Sequence, residues 1–137
     1  MSDNTNKIGH LNMIQETIKR MGNNSFYLKE WSVGIMIAIY SFAGDNAHKS
    51  IIITVIPLIV FWLLDTYYLT LERKYRCLYE NVRKRDEKDI DFDMSLENIE
   101  IKMNQLEKYC FFKIAFSKTI LPFYFVCILT TIIIYVF

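Results

Sequence analysis

Three stretches without a charged residue, Trp31 to Gly44, Ser50 to Leu64 and Thr119 to Phe137, constrain this chain more than any other feature. An α-helix rises about 1.5 Å per residue, so about 20 residues are needed to cross a hydrocarbon core about 30 Å thick. The third stretch reaches that length by itself. The second reaches it as residues 50–71 once Asp65 is admitted. The first reaches it as residues 26–44 once Lys29 and Glu30 sit at the headgroups, where long charged side chains extend toward water. The sequence therefore predicts an all-α integral membrane protein with three transmembrane helices. A composition 53% hydrophobic and 15% aromatic over 137 residues suits one domain of that kind. Ser41-Phe42-Ala43 also has the small-x-small form of a signal-cleavage site, but the polar segment ahead of it is too long for a signal n-region.

Basic residues set the orientation, because cytoplasmic segments carry an excess of Lys and Arg. Every Lys and Arg except Lys49 falls before Trp31 or between Leu64 and Thr119. The N-terminus and residues 72–118 are expected in the cytoplasm, and the short loop around Asn46 and the C-terminus at the outer face.

The cytoplasmic parts read as helix. In residues 1–24, Ile8, Leu11, Ile14, Ile18 and Met21 recur at spacings of three and four, opposed by Glu16, Lys19 and Arg20. Gly22-Asn23-Asn24-Ser25 is expected to end this amphipathic arm, which either lies on lipid or docks on other cytoplasmic helices. In residues 72–118, Tyr75, Leu78 and Val82 continue the helix of the second span, and Leu96, Ile99, Met103 and Leu106 resume the repeat after an acidic tip at 86–94. That predicts an antiparallel helical hairpin leading into a third span at 119–137. A lone pair of helices buries only one seam, so these seven residues are assigned both to the seam and to self-association between copies.

The tip contains DIDFDMSLENIE, residues 89–100, whose acids fall at the first, third, fifth and twelfth positions of a calcium-binding EF-hand loop. Met94 stands where that loop needs Gly, and Ile90 and Phe92 occupy positions it usually exposes. The acids are better read as turn residues, with Asp93 or Ser95 capping the following helix. Ile90, Phe92 and Met94 alternate with them, as in a strand-like peptide that docks a partner, or as apolar residues that fold back on the hairpin.

Within the spans Asp65 is the costly residue. Counted from residue 47 at the centre of the outer turn, Lys29 and Asp65 are equally distant, so they reach the same depth and are expected to pair near the inner interface. Interfacial exposure and a proton pathway are the alternatives. Trp31, Trp62, Tyr67 and Tyr68 form an expected interfacial aromatic belt. His10 and His48 are assigned to opposite sides of the bilayer, and Cys77, Cys110 and Cys127 share no CxxC spacing. With no P-loop, nucleophile elbow or HExxH, neither catalysis nor a metal or cofactor is expected. The basic helix face suits anionic lipid headgroups rather than nucleic acid.

The segments HLNMIQETIKRMGNNSFYLKEWSVGI at 10–35 and FWLLDTYYLTLERKYRCLYENVR at 61–83 resemble a group of small bacterial membrane proteins. Two spans followed by a cytoplasmic helix are also similar to the SLATT class of transmembrane effector modules of anti-phage conflict systems. The resemblance implies a bacterial inner-membrane location and membrane perturbation commanded by a separate cytoplasmic sensor protein, with no catalytic residues to carry over. Two functions follow as expectations: a self-associating effector or pore component that permeabilises the membrane, or an anchor that recruits a cytoplasmic partner through the hairpin. A small transporter or enzyme subunit is the third.

Overall fold

The computed structural model describes residues 5–43, 47–96 and 110–136, and its regular structure there is entirely helical. Helix α1 spans Thr5–Ala43 and α2 spans Ala47–Lys84. A single 3-10 turn follows at Glu87–Asp89, then a short helix α3 at Phe111–Ala115 and α4 at Leu121–Val136.

α1 and α2 are 39 and 38 residues long, about 58 Å each and nearly twice the thickness of a hydrocarbon core. They run antiparallel along this length. Lys7 meets Arg85, Gly22 meets Glu72, and Ser25 and Lys29 meet Asp65. Two apolar cores follow the helix pair, one beyond the Asp65 level and one that reaches across it. One joins Ile14 to Leu78 and Val82, with Leu11, Ile18, Tyr75 and Tyr79 packed around them. The other joins Met36, Leu58 and Leu69 to Ile114, Ile120, Tyr124 and Cys127 of the C-terminal segments.

The unbroken α1 corrects the expected end of the arm at Gly22-Asn23-Asn24-Ser25. These residues disfavour a helix interior by about 1 kcal/mol or less each, which tertiary contacts readily override. Ser25 is buried and donates its hydroxyl to Asp65, and a β-carbon on Gly22 would lie 3.7 Å from the Glu72 carboxylate. The second half of α2 packs on this arm: Leu78 and Val82 are buried against Ile14, and half-buried Tyr75 packs beside them. Leu96 is half-buried, while Ile99, Met103 and Leu106 lie outside the described residues.

The C-terminal part does not run straight into its last helix. α3 stops after one turn, and the Ser117 carbonyl accepts the amides of both Ile120 and Leu121 before α4 begins. Pro122 falls in the first turn of α4, where its missing N–H costs nothing. α3 and α4 both pack against α2.

Among the described residues one helix, α2, is both long and apolar enough to cross a membrane, and only a third of its apolar window is buried inside the molecule. α4 is apolar but shorter, and the apolar half of α1 begins with Lys29 and Glu30. Length and composition thus single out one helix where three spans of unequal strength were expected.

A continuous α1 predicts that Gly22→Ala raises stability by about 0.5 to 1 kcal/mol, because the backbone is helical and the added methyl meets Glu72 at ordinary contact distance. Thermal unfolding in detergent reads the change. A turn at this position would make the same substitution destabilising.

Candidate functional site

Asp65 has no exposed surface. Ser25 and Lys29 lie four residues apart, on one face of α1, and both are directed at it. The Lys29 ammonium is 2.6 Å from one carboxylate oxygen, and the Ser25 hydroxyl donates to the other. Lys29 Nζ also lies 2.9 Å from Ser25 Oγ, closing a three-residue cluster. On α2 the hydroxyls of Thr66 and Thr70 donate to carbonyls one turn back in their own helix, at 2.8 and 2.7 Å. They neither extend the cluster nor compete for the carboxylate. Tyr124 of α4 faces Asp65 from the third side without completing a hydrogen bond.

An ionised carboxylate without water is tolerated only beside a cation and hydrogen-bond donors. Lys29 supplies the first and keeps 20% of its side chain exposed; Ser25 supplies the second. Its contacts tie one turn of α1 to α2 and so hold the two helices in register. Sequence spacing pointed to the Lys29–Asp65 pair. Ser25 was missed because its residue type, in a Gly-Asn-Asn-Ser run, signals a helix end. Tyr124 carries no signal beyond its place in an apolar run.

The expected aromatic belt divides. Trp31 and Tyr67 are exposed, and Tyr68 is half-buried edge-on to Tyr67 at 5.7 Å. Trp62 instead faces inward. Its indole donates to the Ala115 carbonyl at 3.1 Å, and its ring lies 5.4 Å from Phe116 and 6.4 Å from Tyr124. It is a peg that fixes α3 and α4 on α2.

At the far end of the two long helices the tip folds back. Glu87 accepts the amides of Asn6 and Lys7, the former at 2.9 Å, and so caps α1 from across the hairpin. Lys7 in turn donates to the Arg85 carbonyl at 2.7 Å, just past the end of α2. Ile90 and Met94 pack on Ile14, Leu78 and Val82. Phe92 takes φ 55°, an uncommon conformation for a bulky residue, and lays its ring 5.5 Å from that of buried His10. His10 donates from Nε2 to the Asp93 carbonyl at 3.1 Å. All three apolar tip residues thus make contacts within the chain, while Phe92 also stays partly exposed. The acids serve the turn: Asp91 pairs with Arg85 at 3.1 Å and accepts the Asp93 amide, and Asp93 accepts the amide and hydroxyl of Ser95. The Asp93 amide, with Arg85 assisting, holds the Asp91 carboxyl below its ordinary value against a smaller opposing effect of burial.

Comparison of the chain with known protein families, curated proteins and solved structures finds no match.

Lys29→Met is expected to destabilise the protein by about 3 kcal/mol or more, because it leaves the Asp65 carboxyl buried without its cation. Adding Asp65→Leu should recover most of that loss, and unfolding in detergent measures the coupling; simply additive losses would mean the two groups do not depend on each other. At the tip, the lowered Asp91 value makes its contribution complete above the ordinary carboxyl value of 3.8 and progressively lost as pH falls through the folded value. A fluorophore at Ser95 should report release of the tip below pH 3.8, and Asp91→Asn should remove that share of the transition.

Proposed function

We propose that this chain is a membrane anchor whose paired helices α1 and α2 cross the bilayer and continue into the cytoplasm as a stalk for a partner protein. α4 crosses beside them as the third span. The observation that carries this reading is the division of polarity at the Asp65 level and beyond. Asp65, Thr66, Thr70, Ser25 and Ser32 are buried, while the outward side chains are Val33 and Ile37 on α1, Ile56, Ile59, Val60 and Leu63 on α2, and Phe125, Val126, Leu129 and Ile133 on α4. Soluble monomers rarely expose a contiguous apolar patch above a few hundred Å², about 300 to 600, and lipid is the solvent that suits three such flanks. α4, at 16 residues, spans about 24 Å, a shortfall that modest local thinning of the bilayer accommodates.

The stalk carries exposed Lys19, Arg20, Arg76 and Lys84, which favours the cytoplasmic side and contact with anionic headgroups at its base. Its N-terminus then lies in the cytoplasm and the end of α4 at the outer face. The stalk partner is a soluble cytoplasmic protein, such as the sensor the resemblance implies. A self-associating effector in a bacterial inner membrane is the second reading. Phe112 and Phe116, 73% and 60% exposed, offer an apolar contact through which copies could meet. The outward flanks are poor in polar groups, so a water-filled path would need polar surfaces that these helices turn inward.

Two measurements separate the readings. Native mass in nanodiscs should be that of one chain for the anchor, and a closed ring would favour the effector. A cysteine placed at Asn46 should react with an impermeant thiol reagent outside intact cells, and one at Glu87 should not; the reverse pattern would invert the orientation.

A further inference from the structure

On the charged half of the molecule α1 and α2 leave a groove of about 520 Å³ between them. Each helix lines it with residues spaced by three and four: Gln15, Ile18 and Lys19 from α1, and Arg76, Tyr79 and Glu80 from α2. Ile18 and Tyr79 are half-buried and pack on the core of Ile14, Leu78 and Val82, so they give the groove a fixed apolar floor. The other four are exposed and supply its polar groups.

Those polar groups are unequally spent. Arg76 turns Nε and Nη2 to a single oxygen of Glu72, at 2.9 and 2.7 Å, and keeps its Nη1 edge uncommitted. Glu80 is paired with Arg83 at 3.0 Å, so the one carboxylate in the lining is answered by a cation outside it. Among the described residues Lys19 belongs to no ion pair, and the Gln15 amide and Tyr79 hydroxyl to no hydrogen bond. An ammonium, a guanidinium edge, an amide and a phenol are therefore available, and all four can donate. They suit a carboxylate carried beside an apolar side chain: the charge meets the two cations, and the apolar group lies on Ile18 and the Tyr79 ring. A nucleic-acid strand fits less well, because its continuous row of phosphates would meet Glu80 as well as the cations.

Position decides from which side the occupant arrives. Lys19 and Arg76 lie ten and eleven residues beyond Lys29 and Asp65, about 15 Å farther along the helices. One headgroup layer of a bilayer is about 5 to 8 Å deep, so the groove is met from the aqueous side.

We infer that this groove is the docking site of the stalk and takes an acidic, apolar-bearing segment of a soluble partner, its carboxylates at Lys19 and Arg76 and its apolar side chains on Ile18 and Tyr79. The inference deepens the anchor reading above and rests on it.

Fluorescence anisotropy on the full-length chain in phosphatidylcholine nanodiscs tests this with labelled peptides in which leucine alternates with glutamate, glutamine or lysine. At low salt the glutamate peptide should bind about 3- to 10-fold more tightly than the glutamine peptide, the gain expected of two exposed charge pairs, and the lysine peptide should bind least. A peptide alternating glutamate with serine should lose that gain, because nothing then covers the apolar floor. Lys19→Glu should bring the glutamate peptide down to the glutamine level. Lys84→Glu, the same reversal at an exposed position outside the groove, should keep the preference, with helicity of both variants recorded alongside. Equal binding of the glutamate and glutamine peptides would overturn the inference, as would equal damage from the two reversals, since overall charge and not the groove would then be at work. A dimer that Lys19→Glu breaks would also overturn it, because a second copy would be the occupant. Alkaline carbonate extraction keeps the two levels apart: release of the chain defeats the anchor reading itself, whereas an integral chain with no preference for the glutamate peptide defeats the docking site alone.

Discussion

Asp65 has to keep its cation, and most of the architecture follows from that requirement. A carboxyl with no exposed surface beside apolar helices is costly without partners, and Lys29 and Ser25 are the ones set against it. Those two residues come from one face of α1, so satisfying the charge also sets the rotation of α1 and its register along α2. With Lys29 opposite Asp65, Ile14 falls against Leu78 and Val82 on one side, and Met36 joins Leu58 in the core on the other. Slipping the pairing by one residue would both strand the charge and turn the apolar stripe outward.

The second consequence is mechanical continuity. Neither long helix breaks where the apolar half gives way to the charged half, so the two halves share the same two helices. The two ends are closed differently. At the Asp65 level Trp62 pegs α3 and Tyr124 closes the third side. At the tip Glu87 caps α1 and Phe92 covers His10. A partner that bound the stalk would meet a surface already fastened at both ends.

Much of this was legible in the residues, and the reasons for the rest are physical. The helical class and the Lys29–Asp65 pairing were readable because charge-free runs and equal distances from a turn are properties of sequence spacing. The partner of Leu78 and Val82 was not, since a repeat of three and four residues describes a stripe and is silent about which of two similar stripes will cover it. Ile14 and Ile18 offered as good a match as Leu96. The continuity through Gly22-Asn23-Asn24-Ser25 was hidden because residue types that commonly end helices here make tertiary contacts instead. The interruption before α4 did have a signal in Pro122, which is at home in the first turn of a helix and costly deeper inside one. Trp62 was misplaced because an amphipathic ring near an interface also suits an inward hydrogen bond.

The central claim is that α1 follows α2 to its far end instead of leaving it to lie on lipid. Pulsed electron paramagnetic resonance between spin labels at Glu16 on α1 and Glu80 on α2, in nanodiscs, tests this directly. Both positions are exposed, so labels should not disturb the seam. Helices in contact are about 8 to 10 Å apart, and the account predicts one narrow label distance of about 10 to 20 Å. Glu80 lies fifteen residues beyond Asp65, about 22 Å farther along the helix. An arm lying on lipid would therefore give a broad distribution reaching beyond about 30 Å, and that result would contradict the account.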